Sequence, residues 1–522
     1  MIRRPRTRAG RGIRTVDSDT RGQRRRRRGA ARAASLLGVT AALGGLMTAC
    51  SGGDGASSAA EVVIADPAPG SGFPADWVAP ELDWTDCEPG DSAPYECATL
   101  EVPLDWAEPD GAQIDLVVIR AEASGQRVGT LLTNPGGPGA SGVDFLQGNP
   151  LGEELNSHFD VVSWDPRGVG ASQSLDCDGS VGDLYAADPT PDDEAESAAR
   201  SAAARRISAD CARAGGVMLE HMHTEESARD MEAIRQALGG EELTYIGFSY
   251  GTHLGQEYAE LFGDRVRAMV LDGVVDPALG FEEFLIGQAR AFEASLQRQQ
   301  QSCETAGAAA CGVADLVSAY DEVLERAEQA ESEDTVLDGP TPAEVALAAT
   351  YGQYLTNGWE SLGAALGAAL DGDPDPIETL ASSYVSLVDY GPYAAVVCTD
   401  SEHPVGDADY ERFTRAATKE SPRFGASIAS EMLPCASWVV PPRDTAEGLT
   451  ATGAPPILVV GNTGDPATPL ENAEAVAATL RSGVLLVVDR EGHVAHGNDD
   501  CATRLIDAYL VHLDVPEPGT RC

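Results

Sequence analysis

Short runs of Val, Ile and Leu, each stopped by Gly, Pro or Asp, recur along this chain: IDLVVIRA, GTLLTNPGG, FDVVSWDPRG, LTYIGFS, VRAMVLDGVV, PPILVVGNTGD and GVLLVVDREGH. Continuous apolar runs of this length suit strands covered on both faces. Helical patterns fall between several of them. The clearest is ESARDMEAIRQALGG, which spaces Ala228, Met231, Ile234 and Leu238 along one helix face and stops at Gly239. This alternation predicts an α/β fold, a mostly parallel sheet with helices on both faces. Between Pro277 and about Pro455 it gives way to Ala-, Glu- and Gln-rich amphipathic segments such as EEFLIGQARAFEASLQRQQQSCE and VADLVSAYDEVLERAEQA. A helical insertion before the last two strands is expected to form a cap over the C-terminal edge of the sheet, where open α/β sheets bind ligands.

The N-terminus carries an address. An arginine-rich stretch precedes AASLLGVTAALGGLMTAC, an apolar segment too short to span a bilayer, which ends at Cys50. Met47-Thr48-Ala49-Cys50 resembles a lipobox, with Met47 in place of the usual leucine, so lipidation is expected at Cys50; plain secretion is the alternative. Removing residues 1–49, which hold 13 arginines and 2 aspartates, leaves 23 basic and 81 acidic side chains, a formal net charge of −58. Such a surface repels nucleic acid and anionic headgroups and attracts a cationic amino terminus. Residues 51–75 have the Pro/Gly/Ser-rich composition of a flexible tether. Eleven cysteines fit an oxidising compartment. With Cys50 lipidated, pairing of chain neighbours gives Cys87 with Cys97, Cys177 with Cys211, Cys303 with Cys311, Cys398 with Cys435, and Cys501 with Cys522. No cysteine cluster has zinc spacing and no metal site is expected.

Gly247-Phe248-Ser249-Tyr250-Gly251 lies where an apolar run turns into a helical pattern. The G-x-S-x-G spacing alone is weak. The strand-to-helix context is what an α/β-hydrolase nucleophile elbow requires, and it makes Ser249 the candidate nucleophile rather than a helix cap. A serine hydroxyl needs an imidazole to take its proton and a carboxylate to orient that imidazole. In the chain order of this fold, Ser then Asp then His, Asp465 and His493 each close a later run. His496 competes as base and Asp489 as acid, but both fit the strand ends less well. His253, four residues after Ser249, is expected to pack or to hydrogen-bond structurally. Thr133 to Gly142, TNPGGPGASG, follows an earlier strand and suits an oxyanion loop, with N–H groups from Gly137 and Tyr250. Asp165 and Arg167 in the DPRG segment are expected to brace these loops.

Taken in order, Gly136-Gly137-Pro138-Gly139, Asp165-Pro166-Arg167-Gly168, the Gly247 to Gly251 elbow, Gly464-Asp465-Pro466 with Thr468-Pro469, and Gly492-His493 resemble the α/β-hydrolase peptidases of the prolyl aminopeptidase clan. The likeness is strongest to secreted actinobacterial tripeptidyl aminopeptidases and their mycobacterial cell-envelope relatives. It implies an α/β-hydrolase fold and a cofactor-free serine exopeptidase that releases short peptides, often tripeptides, from free N-termini of peptides or proteins. Pro135 stands where the prolyl enzymes have histidine, which fits the tripeptidyl branch. Asp400 and Glu402 are candidate anchors for the substrate's ammonium group. The expected organisation is a signal peptide (1–49), a tether (50–80), a first part of the core (81–277), a mainly helical cap (278–450) and a C-terminal part of the core (451–522). The protein would be extracytoplasmic, touching membrane only through a lipid anchor, with no nucleic-acid partner. A carboxylesterase or lipase with the same triad is the alternative, because elbow and triad do not separate esters from amides. A non-catalytic surface lipoprotein is a third reading.

Overall fold

A computed structural model describes residues 71–87, 95–148, 151–177, 181–191, 193–332, 339–443 and 448–522. The signal peptide and Cys50 lie outside the described residues. Nine strands form one sheet: β1 (Thr85–Asp86), β2 (Tyr95–Pro103), β3 (Gln113–Ala121), β4 (Gly129–Asn134), β5 (Phe159–Trp164), β6 (Leu243–Phe248), β7 (Val266–Asp272), β8 (Ile457–Gly464) and β9 (Gly483–Glu491). Their spatial order is β1-β2-β3-β5-β4-β6-β7-β8-β9. From β5 to β9 every neighbouring pair is parallel. The first three strands join as an antiparallel edge.

All seven apolar runs are strands. Alternate residues serve opposite faces: Leu132, Val162, Tyr245 and Val459 enter one core cluster, while Leu131, Val161, Ile246 and Val460 enter another. IDLVVIRA departs from the expectation of a parallel strand, since β3 runs antiparallel to both neighbours. Strand β2 was hidden because it is covered unevenly. Ala98, Leu100 and Val102 point inward while Thr99 and Glu101 are exposed, so it offers no continuous run.

The helix predicted over ESARDMEAIRQALGG spans Thr224–Ala237, with Ala228, Met231 and Ile234 fully buried. Between β7 and β8 the described residues contain no strand and nine α-helices, from Phe281–Ala306 to Gly425–Glu431, with a third core cluster largely their own. This is the helical cap of an α/β-hydrolase fold. All five cysteine pairs expected from chain order are disulfides. Residues 71–80, assigned by composition to the tether, pack instead: Phe73 stacks on Trp106 at 4.6 Å, and Arg229 donates to Ser71 O at 2.8 Å. An aromatic anchor and a guanidinium overrode the local Gly/Pro signal.

The parallel order puts the C-terminal ends of β4, β6, β7, β8 and β9 along one edge. Asn134 pairs with Gly247, Phe248 with Asp272, Asp272 with Val460, and Gly464 with Glu491. Beyond β5, Asp165 and Arg167 brace the edge. Asp165 accepts from Ser141 Oγ (2.6 Å), Val143 N–H (3.1 Å) and Ala171 N–H (2.8 Å). Arg167, 1% exposed, is bidentate on Asp230 at 2.8 and 2.7 Å and donates to the Leu104 and His221 carbonyls. Replacing Arg167 by Leu leaves Asp230 as a buried carboxylate without its cation, which costs about 3–5 kcal/mol. A large fall in the thermal unfolding midpoint is the expected result.

Candidate active site

Strand β6 is buried at every residue. Ser249 follows it at φ 54°, ψ −124°, and the helix Tyr250–Phe262 starts at the next residue. A non-glycine residue in that region costs roughly 1–3 kcal/mol and persists only where neighbours enforce it. Here they do. Ser249 N–H donates to Asp272 O at 3.0 Å, and Ser249 O accepts from Thr252 N–H at 2.8 Å and Thr252 Oγ1 at 2.6 Å. The flanking glycines are sterically required: a Cβ on Gly247 would lie 2.3 Å from Gly251 O, and one on Gly251 2.6 Å from Asn134 O.

Asp465 follows β8, 3% exposed. Its carboxylate accepts from Ala467 N–H (3.0 Å), Thr468 N–H (2.9 Å), Thr468 Oγ1 (3.1 Å) and His493 Nδ1 (2.9 and 3.0 Å). An ionised carboxylate can only accept, so Nδ1 carries the proton and Nε2 presents a lone pair. Nε2 is buried and makes no hydrogen bond, so the structure holds acid and base together but does not join the imidazole to Ser249 Oγ. Burial opposes charge on His493, but the Asp465 carboxylate, its hydrogen bond and Asp272 outweigh burial, so the imidazole titrates above its ordinary value of 6.5.

Serine and histidine are brought to one place by a residue the sequence reading passed over. Asp272, the last residue of β7 and fully buried, receives Ser249 N–H on its backbone carbonyl. Its carboxylate accepts from Ala495 N–H (3.0 Å to each oxygen) and His496 N–H (2.8 Å). At the adjacent Gly273, a Cβ would come within 2.9 Å of His493 Cε1. Asp272 thus ties the elbow and the histidine loop together. Its visible signal was an aspartate closing a strand, in VLDG. The cap completes the seat: His493 N–H donates to Tyr354 O at 3.0 Å, and the Tyr354 ring meets the imidazole edge-on at 5.4 Å. Arg298 donates to Glu491 at 2.6 Å and to Gly464 O at 3.3 Å, next to both the histidine and aspartate loops.

The loop expected to receive the oxyanion leaves β4 beside β6. Gly136 and Gly137 have φ of +98° and +105°, open to glycine and strained for other residues. A Cβ on Gly136 would sit 2.9 Å from both Ser249 Cβ and Tyr250 N. Gly136 N–H is taken by Asn134 Oδ1 at 2.9 Å, which leaves the Gly137 N–H as the next donor along the loop. Tyr250 is the first helical residue, and a first-turn N–H has no intrahelical acceptor. From the cap, Asp389 N–H donates to Gly139 O at 3.0 Å.

The competing residues are occupied elsewhere. His496 Nε2 bonds Asp507 at 2.9 Å, His253 lies 3.5 Å from Glu257, and Asp489 is exposed and accepts from Thr463 Oγ1. Asp400 is buried behind the elbow, where both oxygens accept from Thr224, at 2.9 Å from the N–H and 2.5 Å from the hydroxyl, and that hydroxyl also meets Tyr250 OH at 2.5 Å. Glu402 is exposed.

Residues 421–522 match a family model described as TAP-like protein. Serine protease Hip1 of Mycobacterium tuberculosis is 32% identical over 478 residues, which cover 84% of this chain and 91% of that protein. Tripeptidyl aminopeptidase of Streptomyces lividans is 32% identical over 456 residues, covering 82% and 84%. This chain belongs to the TAP-like α/β-hydrolase family. Another relative at 32% identity, over 85% of this chain and 90% of its own length, is Carboxylesterase B of Mycobacterium tuberculosis. The TAP-like chain is a hydrolase, and its relatives' names divide between peptide and ester bonds.

If Asp272 holds the histidine loop, Asp272→Asn, which points an amide N–H₂ at the N–H groups of Ala495 and His496, destabilises the fold by about 1–3 kcal/mol. It also slows turnover. Thermal unfolding together with kcat on a chromogenic ester or peptide tests this; unchanged kcat would show that the loop is positioned without it.

Proposed function

We propose that this TAP-like hydrolase is a serine exopeptidase that releases short peptides, tripeptides foremost, from free N-termini through an acyl-enzyme. The observation that carries the reading is the His493 imidazole, protonated toward Asp465 at Nδ1, with an unpartnered Nε2 on a loop tied through Asp272 to the strained Ser249. Ser249 Oγ attacks the scissile carbonyl while Nε2 takes its proton. Gly137 and Tyr250 N–H groups receive the oxyanion. His493 then returns the proton to the leaving amine, and water repeats the sequence on the acyl-enzyme. Asp465 keeps the tautomer and stabilises the imidazolium. All of these groups belong to the chain.

Five disulfides and the Hip1 and tripeptidyl aminopeptidase relatives support an extracytoplasmic location. Among the described residues no helix is long and apolar enough to cross a membrane. A lipid on Cys50 is our reading of the N-terminal sequence, as is the requirement for a free substrate amine. The Carboxylesterase B relative favours a second reading, hydrolysis of carboxylic esters with the same groups.

Two measurements test the proposal. Rates on tripeptidyl-nitroanilides with free and acetylated N-termini, set beside short acyl esters, separate the readings. Preference for the free amine is expected, and turnover of esters alone sinks the peptidase. Ser249→Ala is expected to abolish both turnover and fluorophosphonate labelling. His493 must be neutral to accept a proton, and its pKa is raised, so kcat/KM should fall as pH drops through a value above 6.5. Asp465→Asn removes the charge that raises it, so the acid limb should move to lower pH. Loss of the correct tautomer should cut kcat by about 10⁴.

A further inference from the structure

One helix of the cap, Tyr390–Asp400, meets the loop after β4 at its start and the elbow at its end. At the start, Asp389 N–H donates to Gly139 O at 3.0 Å, and Asp389 O accepts from Tyr393 N–H at 3.1 Å. A Cβ on Gly139 would lie 2.6 Å from that Asp389 carbonyl, and one on Gly137 would lie 2.9 Å from Val388 Cγ1, so cap and loop are in close contact. At the end, the Asp400 carboxylate takes both the N–H and the hydroxyl of Thr224, at 2.9 and 2.5 Å. Thr224 is the first residue of the core helix Thr224–Ala237. Its Oγ1 also meets Tyr250 OH at 2.5 Å, and Tyr250 directly follows Ser249. The disulfide Cys398–Cys435 ties the same helix to the rest of the cap.

The acid fixes the direction of this chain of bonds. A carboxylate only accepts, so the single hydroxyl hydrogen of Thr224 points at Asp400, and Oγ1 is left to accept from the Tyr250 phenol. Burial, and after it the charge of Asp400, pushes that phenol well above its ordinary value of 10, so it keeps the proton it donates. Asp400, Thr224 and Tyr250 are all buried, and water does not compete for the bonds between them. Part of the arrangement is helix capping, since a carboxylate suits the orphan N–H at a helix start. Capping needs the Thr224 N–H alone. It gives no reason for the two hydroxyls, because valine and phenylalanine would fill nearly the same space. What the hydroxyls add is a tether on the far end of the Tyr250 side chain, which restrains the first residue of the elbow helix together with its N–H.

We propose that Asp400 is a positioning residue: through Thr224 and the Tyr250 hydroxyl it fixes the Tyr250 N–H that receives the oxyanion, while the other end of the same cap helix holds the loop that carries Gly137. This rests on the catalytic role of Ser249 proposed above and holds for an ester or a peptide substrate alike. The test measures kcat and kcat/KM against pH on whichever chromogenic ester or tripeptidyl-nitroanilide the wild type turns over, with circular dichroism confirming each fold. Tyr250→Phe and Thr224→Val each cut the chain and leave the Thr224 N–H bonded to Asp400. Each should lower kcat and kcat/KM by the same factor, roughly 10- to 100-fold, because the interaction is made only in the transition state. Thr224→Ser, which keeps the hydroxyl, should retain the wild-type rate, and the acid limb set by His493 should stay in place in all three. In Asp400→Asn combined with Tyr250→Phe the losses should overlap, since both break one chain. Wild-type kcat in folded Tyr250→Phe, a change in KM alone, or fully additive losses in the double variant overturns the inference and leaves Ser249 its role. A Ser249→Ala protein that still turns over the substrate overturns the catalytic reading, and this inference with it. Should Asp400→Asn not fold, Thr224→Val combined with Tyr250→Phe reads the same coupling with the carboxylate still capping the helix, and additive losses there overturn the inference too.

Discussion

The hydrogen bonds of Asp272 are the constraint on which the site depends. A serine in a strained corner and a histidine on a loop more than two hundred residues later have no covalent reason to meet. One residue at the end of strand β7 holds both, the first by its backbone carbonyl and the second by its carboxylate. The interaction is strong because it is dry: Asp272 is fully buried, and a charged acceptor in a low-dielectric setting holds N–H donors tightly. Asp465 can then be spent on orienting the imidazole.

Around that fixed point the cap acts as a second scaffold. Tyr354 fixes the backbone of His493, Arg298 reaches the ends of both β8 and β9, and Asp389 holds Gly139 in the loop after β4. The sheet supplies the order of the loops that carry Ser249, Asp465 and His493, while the helical insertion adds hydrogen bonds to them. Positive φ at Ser249 and at the β-branched Val494 shows where this double support is used to hold unfavourable backbone.

How much of this was legible follows from where the signals lie. Ser249, Asp465 and His493 stand out as candidates because each sits just past a continuous apolar run, and such runs are visible in one dimension. The cysteine pairs were legible because all five join chain neighbours. Asp272 also closed a run, yet nothing in VLDG tells a bridging carboxylate from an ordinary strand end. Strand β2 escaped because it is covered on one face.

The hydrogen bond from His493 N–H to the carbonyl of Tyr354 has a consequence for how the molecule breathes. Any excursion that swings the lid outward to admit a chain also withdraws the support under the imidazole. The Asp465 carboxylate and the Asp272-bound backbone would then hold the histidine loop alone.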